Sequence, residues 1–105
     1  MSGGLRDDQL IEIRRIMSGF LSVESGILFG SRARDTFRPS SDVDIALMGD
    51  DVSLQDQIRI NAQLNENRDL LKYDVVRYCA ITNKKLIDQI QKYGVTIYEK
   101  KKRTA

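Results

Sequence analysis

Residues 30–47 read GSRARDTFRPSSDVDIAL, and this stretch decides how the rest of the sequence is interpreted. It opens on a Gly-Ser pair, and ten residues separate that pair from the DVD sequence that begins at Asp42. From Asp42 to Leu47, apolar side chains occupy alternate positions, which is typical of a half-buried strand. Because successive side chains on a strand point to opposite faces, Asp42 and Asp44 are predicted to share one face. Like charges on one face repel each other, and Mg²⁺, which prefers oxygen ligands, would neutralise them.

The Gly-Ser pair is predicted to form a turn that binds phosphate. Gly30 permits a sharp turn and the close approach of a ligand at the end of a strand. We expect Ser31 to begin a short helix over residues 31–34. This would place Ser31 at a helix N-terminus, where free N–H groups attract phosphate. Taken alone, the pair has an alternative interpretation, an ordinary strand-to-helix turn in which Ser31 is the N-cap.

A third carboxylate, Asp74, interrupts an apolar strand pattern in the sequence KYDVVRY. We expect it to lie beside Asp42 and Asp44 on a neighbouring strand, where three carboxylates could hold two Mg²⁺ ions and accept a proton from a hydroxyl group. The alternatives are a solvent-facing position on an edge strand for Asp74, and an acidic edge strand or solvated turn for the pair. A calcium-binding loop is disfavoured because apolar residues follow Asp44 where further oxygen ligands would be needed.

The composition limits the class of protein and the kinds of site. A chain of 105 residues, 41% apolar and 30% charged, is predicted to form one soluble domain. No apolar run approaches the length of a membrane span, and the net charge of +2 gives no general argument for nucleic acid. The absence of histidine excludes His-based zinc sites and Ser-His-Asp triads. The single cysteine, Cys79, cannot form an internal disulfide, which favours a cytoplasmic location.

Hydrophobic periodicity and turn residues predict alternating helices and strands. This order favours an α/β (α+β) fold in which helices cover a small sheet. We predict a disordered N-terminus over residues 1–6, a domain over 7–99 and a basic disordered tail over 100–105, with an RNA or partner contact as the alternative for the tail. The expected helices cover 7–19, 31–34, 54–65 and 84–93, the strands cover 26–29, 43–48, 72–77 and 95–98, and the caps are Ser53 and either Thr82 or Asn83.

These features together resemble the minimal nucleotidyltransferase (MNT) branch of the DNA polymerase β superfamily. Members of that branch carry a Gly-Ser pair, ten residues, an Asp-x-Asp pair and a third Asp on a later strand, as at positions 30–31, 42, 44 and 74 here. The stretch ITNKKLIDQIQKYGVTIYEK also resembles the family's closing helix and strand. The similarity covers residues 8–99, nearly the whole sequence.

The resemblance implies a nucleotidyltransferase fold, a mixed four-stranded sheet flanked by helices, and a specific set of roles. Gly30 and Ser31 would bind the triphosphate of ATP or another NTP. Asp42 and Asp44 would ligate Mg²⁺, and Asp74 would complete a two-metal site as a further ligand or as a base. The implied reaction is transfer of a nucleoside monophosphate, AMP where the substrate is ATP, to an acceptor.

The residues next to the predicted phosphate turn carry further expectations. Arg32 and Arg34 have planar guanidinium groups that could neutralise triphosphate oxygens, and solvated charge is the alternative. Asp35 departs from the family pattern, since members commonly have glycine there, and its negative charge could weaken nucleotide binding. Phe37 is a candidate partner contact unless it folds back into the core.

The resemblance also implies a partner on another chain. Members of this length are typically paired with a separate helical HEPN protein, often a ribonuclease toxin, and antitoxin members transfer AMP to a tyrosine of that partner. We therefore expect an antitoxin, with an apolar face on the first helix or last strand that would suit a HEPN partner or a homodimer. The alternative is a non-catalytic nucleotide-binding antitoxin or assembly subunit that masks a HEPN partner.

Overall fold

The sequence folds into a mixed four-stranded sheet with helices on both faces, which confirms the predicted fold class. The computed structural model describes residues 3–34, 36–66 and 71–101. A short 3₁₀ turn, Tyr78–Ala80, follows the third strand. Within the described ranges the helices are α1 (Asp7–Ser18), α2 (Leu54–Leu64) and α3 (Lys84–Tyr93), and the strands are β1 (Ser25–Phe29), β2 (Val43–Met48), β3 (Tyr73–Arg77) and β4 (Val95–Glu99).

The order of the strands brings three strand ends together. The strands lie in the order β3-β2-β1-β4, with β1 antiparallel to both β2 and β4. β2 and β3 are parallel, and α2 provides the crossover that a parallel pair requires. The C-terminal end of β1 therefore meets the N-terminal ends of β2 and β3, where Phe29 is paired with Asp44.

Side-chain caps fix the start of two helices. The hydroxyl of Ser53 accepts a hydrogen bond from the backbone N–H of Asp56 at 3.0 Å, and the Asp56 carboxylate accepts one from the Ser53 N–H at 3.4 Å. Asn83 accepts hydrogen bonds from the backbone N–H groups of Lys85 and Leu86 at the start of α3. The predicted cap at Ser53 is confirmed, and Asn83 rather than Thr82 caps α3.

The two faces of the sheet carry cores of different size. On one face, α1 and α2 bury a large apolar cluster that includes Ile13 and Ile60 together with Val43 and Ile45 of β2. On the other face, α3 contributes Ile90 to a small cluster with Phe29 and Ala46. α3 thus packs on the second face of the sheet.

The carboxylates of β2 and β3 point to the α3 face. Asp44 lies between the buried residues Val43 and Ile45, which face α1 and α2, and alternation turns Asp44 the other way. Asp74 is placed in the same manner between Tyr73 and Val75. The small core beneath α3 leaves this part of the face open, since Asp74 is exposed and Asp44 is half-buried.

An amide ladder formed by Gln57, Asn61 and Asn65 covers the outer edge of β3. Asn65 donates to the carbonyl of Tyr73 and accepts from its N–H, both at 2.8 Å. Asn61 accepts from the N–H of Val75 at 3.2 Å, and Gln57 donates to the Val75 carbonyl at 2.9 Å. Four residues of a helix rise about 6 Å, and two residues of a strand advance about 6.6 Å. Asn61 and Asn65, four residues apart on the helix side, can therefore reach Val75 and Tyr73, two residues apart on the strand. The edge strand that carries the third carboxylate is thereby protected from other strands.

The amide ladder also determines which side of α2 is buried. Because the three amides point at β3, the apolar residues on their side of the helix are Ile60 and Leu64, which are buried. Leu54 and Ile58 remain 57% and 59% exposed. The polar residues, rather than the apolar ones alone, therefore orient this helix.

The variant Asn65→Ala is expected to lower the free energy of unfolding by about 2 kcal/mol, because the N–H and carbonyl of the buried residue Tyr73 lose their partner. Urea denaturation would measure the change. Gln63→Ala, an exposed position on the same helix, is the matched control and should change stability by less than about 0.5 kcal/mol. Equal stabilities for the two variants would contradict a supporting role for the ladder.

The structure corrects one predicted element, the short helix over residues 31–34. Ser31 to Arg34 form a turn, in which the Ser31 carbonyl accepts hydrogen bonds from the backbone N–H groups of Arg34 at 3.2 Å and Thr36 at 3.1 Å. The chain closes on itself at Thr36 instead of continuing as a helix. Ser31 therefore has no helix dipole behind it, and that part of the phosphate argument does not hold.

The chain termini are held more closely than predicted. Leu5 is completely buried in the larger core, so packing begins before the boundary predicted at residue 7. At the other end, Lys100 donates its backbone N–H to the Glu24 carbonyl and its ammonium group to the Leu21 carbonyl. Residues 1–2, Asp35, 67–70 and 102–105 lie outside the described residues, so the predictions for Asp35 and for most of the basic tail stay predictions.

Of the two elements on which an apolar face was expected, α1 exposes a single large apolar side chain, Ile11 at 63%, among charged residues, and Ile97 of β4 is buried. No helix within the described ranges is long and apolar enough to span a membrane.

Candidate active site

The turn after β1 lies directly against a carboxylate of β2. Gly30 has a φ of 75°, in the left-handed region that favours glycine. A Cβ added at Gly30 would lie 2.6 Å from Oδ2 of Asp44, closer than side chains pack. Glycine is therefore required here for two reasons, the backbone conformation and the space that the Asp44 carboxylate occupies.

The three predicted carboxylates are brought to one end of the sheet. Asp44 and Asp74 are direct partners in the parallel register of β2 and β3. Asp42 immediately precedes β2, two residues before Asp44. The adjacency that the sequence predicted for Asp74 is thus present in the fold.

The environment of Asp44 disfavours its ionised form. Burial raises the pKa of the Asp44 carboxyl above its usual value, and the negative charges of Asp74 and Asp42 raise this pKa further. A bound divalent cation would remove this repulsion, because it places positive charge among the three carboxylates.

The chemistry of these residues fits Mg²⁺, although their present arrangement is not a coordination sphere. Carboxylate oxygens are the ligands that Mg²⁺ prefers, and the pKa of Asp44 is raised first by its burial and then by the charges of Asp74 and Asp42. Among residues 3–34, 36–66 and 71–101, however, no three His, Cys, Asp or Glu side chains are gathered closely enough to hold an ion. Asp42, Asp44 and Asp74 provide the donor set, and binding requires that their side chains converge.

The structure corrects the role predicted for Arg32. This side chain is only 3% exposed, and all three of its nitrogens donate to backbone carbonyls. Nη1 donates to Gly3 at 2.8 Å, Nη2 to Pro39 at 3.2 Å and to Ser41 at 3.1 Å, and Nε to Ser41 at 3.2 Å. The guanidinium group is therefore directed at the protein backbone, not at an open triphosphate site.

The side chain of Arg34 is presented at the surface, unlike that of Arg32. Arg34 is exposed, and its guanidinium carbon lies 4.5 Å from the centre of the Tyr93 ring. Lys92 places its ammonium nitrogen 5.3 Å from the same ring. Tyr93 ends α3 and is separated from β4 by Gly94, and the first residue of β4 is paired with Leu28 near the Gly30 turn. Two cations are thus held on one aromatic ring at the edge of the candidate site.

Phe37 folds back on the domain instead of forming a free surface contact. It is partly buried, and its ring centre lies 5.0 Å from the guanidinium carbon of Arg32. A Cβ added at Gly4 would lie 2.4 Å from this ring, so the N-terminal segment packs flat against it. The loop and the N-terminal segment therefore enclose Arg32 from two sides.

Sequence reasoning missed Tyr93 and the anchoring role of Arg32. Neither is marked by a local pattern, because the carbonyls that bind Arg32 come from positions as far away as Gly3, 29 residues along the chain. In the sequence, Tyr93 marks only the end of the predicted helix over 84–93. The available signal for Tyr93 was an aromatic residue next to Lys92 at the terminus of that helix.

Comparison with known proteins identifies the family. The family model described as "Polymerase beta, Nucleotidyltransferase" matches residues 12–103, most of the chain. The chain belongs to the polymerase β nucleotidyltransferase family. No curated protein sequence matches it at a significant level. The match includes the Gly30 turn and all three aspartates, so the resemblance inferred from those residues is confirmed at the level of the family.

Solved structures share the fold. One, described as a toxin-antitoxin with AMP-PNP, has a TM-score of 0.70 and 22% identity, and the similarity covers 91% of this chain and 75% of that one. A second, a mutant of the toxin-antitoxin MntA-HpeT with two Asp-to-Glu changes two positions apart, has a TM-score of 0.70, 20% identity and the same coverage. A third, a proposed nucleotidyltransferase from Sulfolobus solfataricus, has a TM-score of 0.50 and 20% identity, with 89% and 85% coverage. At 20–22% identity, these structures show that the fold is shared.

Proposed function

We propose that this protein is an antitoxin that transfers a nucleoside monophosphate, AMP from ATP, to a hydroxyl group of a separate helical HEPN protein in a Mg²⁺-dependent reaction. The observation that carries the proposal is the placement of Asp44 opposite Asp74, with Gly30 packed on the Asp44 carboxylate. The Gly30 turn and a group of carboxylates then lie at one end of one sheet. That arrangement suits attack on a phosphate next to the metal ligands.

Each residue of the proposed site has its own role in the reaction. Asp42 and Asp44, with Asp74, would hold Mg²⁺, which would neutralise charge on the α-phosphate and the departing pyrophosphate. The Gly30-Ser31 turn lets the triphosphate approach the backbone, and Arg34 is the exposed cation beside it. Asp74 accepts the proton of the acceptor hydroxyl as its oxygen bonds to the α-phosphorus. The bond from the α-phosphorus to the bridging oxygen breaks, and pyrophosphate leaves.

The structural neighbours support this choice of substrate and partner. One neighbour is described as a toxin-antitoxin with AMP-PNP, an ATP analogue. Another was altered at two aspartates with the i, i+2 spacing of Asp42 and Asp44. These descriptions support ATP as the substrate, a toxin as the partner and the pair Asp42 and Asp44 as the residues to test by substitution. We extend them to this protein as part of the proposal.

The direct test is transfer of label from α-³²P-ATP to the product of the gene adjacent to the one that encodes this chain, in the presence of Mg²⁺. We expect a labelled partner and released pyrophosphate, and no label when the metal is removed by EDTA. The readout is a radioactive band at the mass of the partner. Absence of label under conditions in which both proteins are folded and bound to each other would overturn the proposed activity.

A second candidate is a non-catalytic nucleotide-binding antitoxin that masks its partner. The observation that favours it is the lack of a gathered coordination sphere among the described carboxylates. Calorimetric titration with ATP and Mg²⁺ separates the two functions when it is combined with the label assay. Binding of ATP and of the partner without any transfer of label would select this second function.

A further inference from the structure

Arg32 has an environment that is unusual for a charged residue. It is 3% exposed, and within the part of the chain that the structure describes its side-chain contacts are carbonyls and one aromatic ring, with no carboxylate among its hydrogen-bond acceptors. Burying a cation is costly unless it is well hydrogen-bonded. A neutral residue would be the simpler choice if only packing were needed, so the guanidinium group requires an explanation.

The hydrogen bonds of Arg32 converge on the residue before the first metal-binding candidate. Two of its nitrogens donate to the Ser41 carbonyl, at 3.2 and 3.1 Å. That carbonyl belongs to the peptide group that includes the N–H of Asp42, so the orientation of this peptide plane is fixed. A third contact, to Pro39, restrains the loop two residues earlier.

The other side of Asp42 is fixed by the sheet. Val43 is completely buried, and its N–H donates to the Lys72 carbonyl at 2.9 Å, which starts the pairing of β2 with β3. Asp42 itself is exposed and lies outside β2. Its backbone is therefore held between a buried strand residue and the Ser41 carbonyl that Arg32 binds.

We propose that Arg32 is a positioning residue that holds the Ser41–Asp42 peptide and thereby directs the Asp42 carboxylate toward Asp44 and Asp74. This inference rests on the proposed function for its metal-binding consequence. Its structural part, the restraint of Asp42, is independent of that function. Arg32 acts through the backbone and does not touch the nucleotide, in contrast to the role that its place in the GSRAR sequence predicts.

The geometry of the guanidinium group explains why arginine is used. Its nitrogens form a rigid planar fork that reaches three separate carbonyls, on Gly3, Pro39 and Ser41. A lysine places its three donors on one nitrogen and cannot span those acceptors in the same way. The same arginine also connects the loop to the N-terminal segment, because Gly3 is one of its acceptors.

The test compares Arg32→Lys with Arg38→Lys, the same change at an exposed position of the same loop. Titration with Mn²⁺ alone, followed by the paramagnetic signal of the free ion, gives the metal affinity without any need for turnover. We expect Arg32→Lys to weaken Mn²⁺ binding roughly tenfold or more, as loss of a residue that orients a ligand typically does. Arg38→Lys should match the wild type.

A second measurement separates the positioning role from the proposed function. Amide hydrogen exchange at Asp42 should be faster in Arg32→Lys than in the wild type and in Arg38→Lys, whether or not metal binds. Unchanged exchange at Asp42 would overturn the positioning role. Failure of the wild type both to bind Mn²⁺ and to transfer label would overturn the proposed function, while the exchange result still decides whether Arg32 restrains Asp42.

The wild-type protein provides the deciding measurement if Arg32→Lys does not fold. The side-chain Nε–H signal of Arg32 in ¹⁵N NMR spectra should exchange slowly with water and keep its position when ATP is added without metal. A signal that moves with ATP concentration would mean that the guanidinium group binds the triphosphate. That result would restore the role predicted from the sequence and overturn positioning. Loss of stability in Arg32→Lys with wild-type Mn²⁺ affinity would likewise overturn it.

Discussion

Asp44→Asn should reduce the rate of label transfer by roughly 1,000-fold, equivalent to a barrier higher by about 4 kcal/mol. Asp44 is the central member of the three carboxylates, being paired with Asp74 across the strands and two residues from Asp42. An amide is a poorer ligand for Mg²⁺ and carries no charge, so the phosphate charge would lose much of its neutralisation. The measurement is the initial rate of labelling of the proposed partner protein.

The matched control for this variant is Asp51→Asn. Asp51 is an exposed carboxylate in the turn between β2 and α2, at the other end of β2 from the site. Its loss removes the same charge from the chain without touching the three carboxylates. We expect transfer by Asp51→Asn within about twofold of the wild type, since isolated surface charges contribute little. Equal rates for Asp44→Asn and Asp51→Asn would contradict the assignment of the site.

Asp44→Asn should also be more stable than the wild type in the absence of metal. The pKa of Asp44 is raised in the folded chain by burial and by the charges of Asp74 and Asp42. A raised pKa means that the stability contribution of this group is present at low pH and is lost as the pH rises through the folded-state pKa. Asparagine resembles the neutral form and avoids that loss.

Thermal unfolding as a function of pH would show this effect. Without metal, Asp44→Asn should have a higher Tm than the wild type at pH 7. The difference should narrow as the pH falls toward about 4, near the ordinary pKa of aspartate. Excess Mg²⁺ should stabilise the wild type more than the variant, because a ligand that binds the folded state raises its stability. A variant that loses both activity and stability at pH 7 would point instead to a structural role for Asp44.

The sequence predicts the carboxylate site well because strand alternation is a local property. Val43 and Ile45 had to be buried, and that requirement alone turns Asp44 to the other face. The order of the strands and the register that opposes Asp44 to Asp74 are not local. They depend on the α2 crossover and on the amides that hold the outer edge of β3. The neighbour relation was expected from the chemistry of three carboxylates and from the family resemblance, not from the local pattern of either strand.

The sequence fails where a polar side chain has a buried role. Arg32 and Arg34 are two residues apart and chemically identical, yet one is enclosed by carbonyls and the other lies over Tyr93 at the surface. Nothing in the local pattern distinguishes them, because the carbonyls come from distant parts of the chain. The predicted helix over 31–34 fails for a related reason. Contacts of the loop override the high helix propensity of Ala33 and of the arginines on either side of it.

Gly30→Ala is expected to reduce transfer by about 100-fold, an effect typical of displacing a catalytic group by about 1 Å. The added methyl group would lie 2.6 Å from Oδ2 of Asp44, so the carboxylate must turn away. The φ of 75° adds strain, which costs a non-glycine residue about 1–2 kcal/mol. Gly19→Ala is the control, since Gly19 has a φ of −77° and a Cβ there meets only the Ile16 carbonyl at an ordinary 3.4 Å.

A double-mutant cycle shows whether Gly30 acts through Asp44. Urea unfolding of Gly30→Ala, Asp44→Ala and the double variant gives the coupling free energy between the two positions. If the methyl group destabilises the protein by colliding with the carboxylate, removal of that carboxylate should relieve part of the cost. In the Asp44→Ala background, the cost of Gly30→Ala would then fall to the backbone strain alone, about 1–2 kcal/mol. Additive costs would mean that the turn and the carboxylate are independent, and Gly30 would then serve the backbone alone.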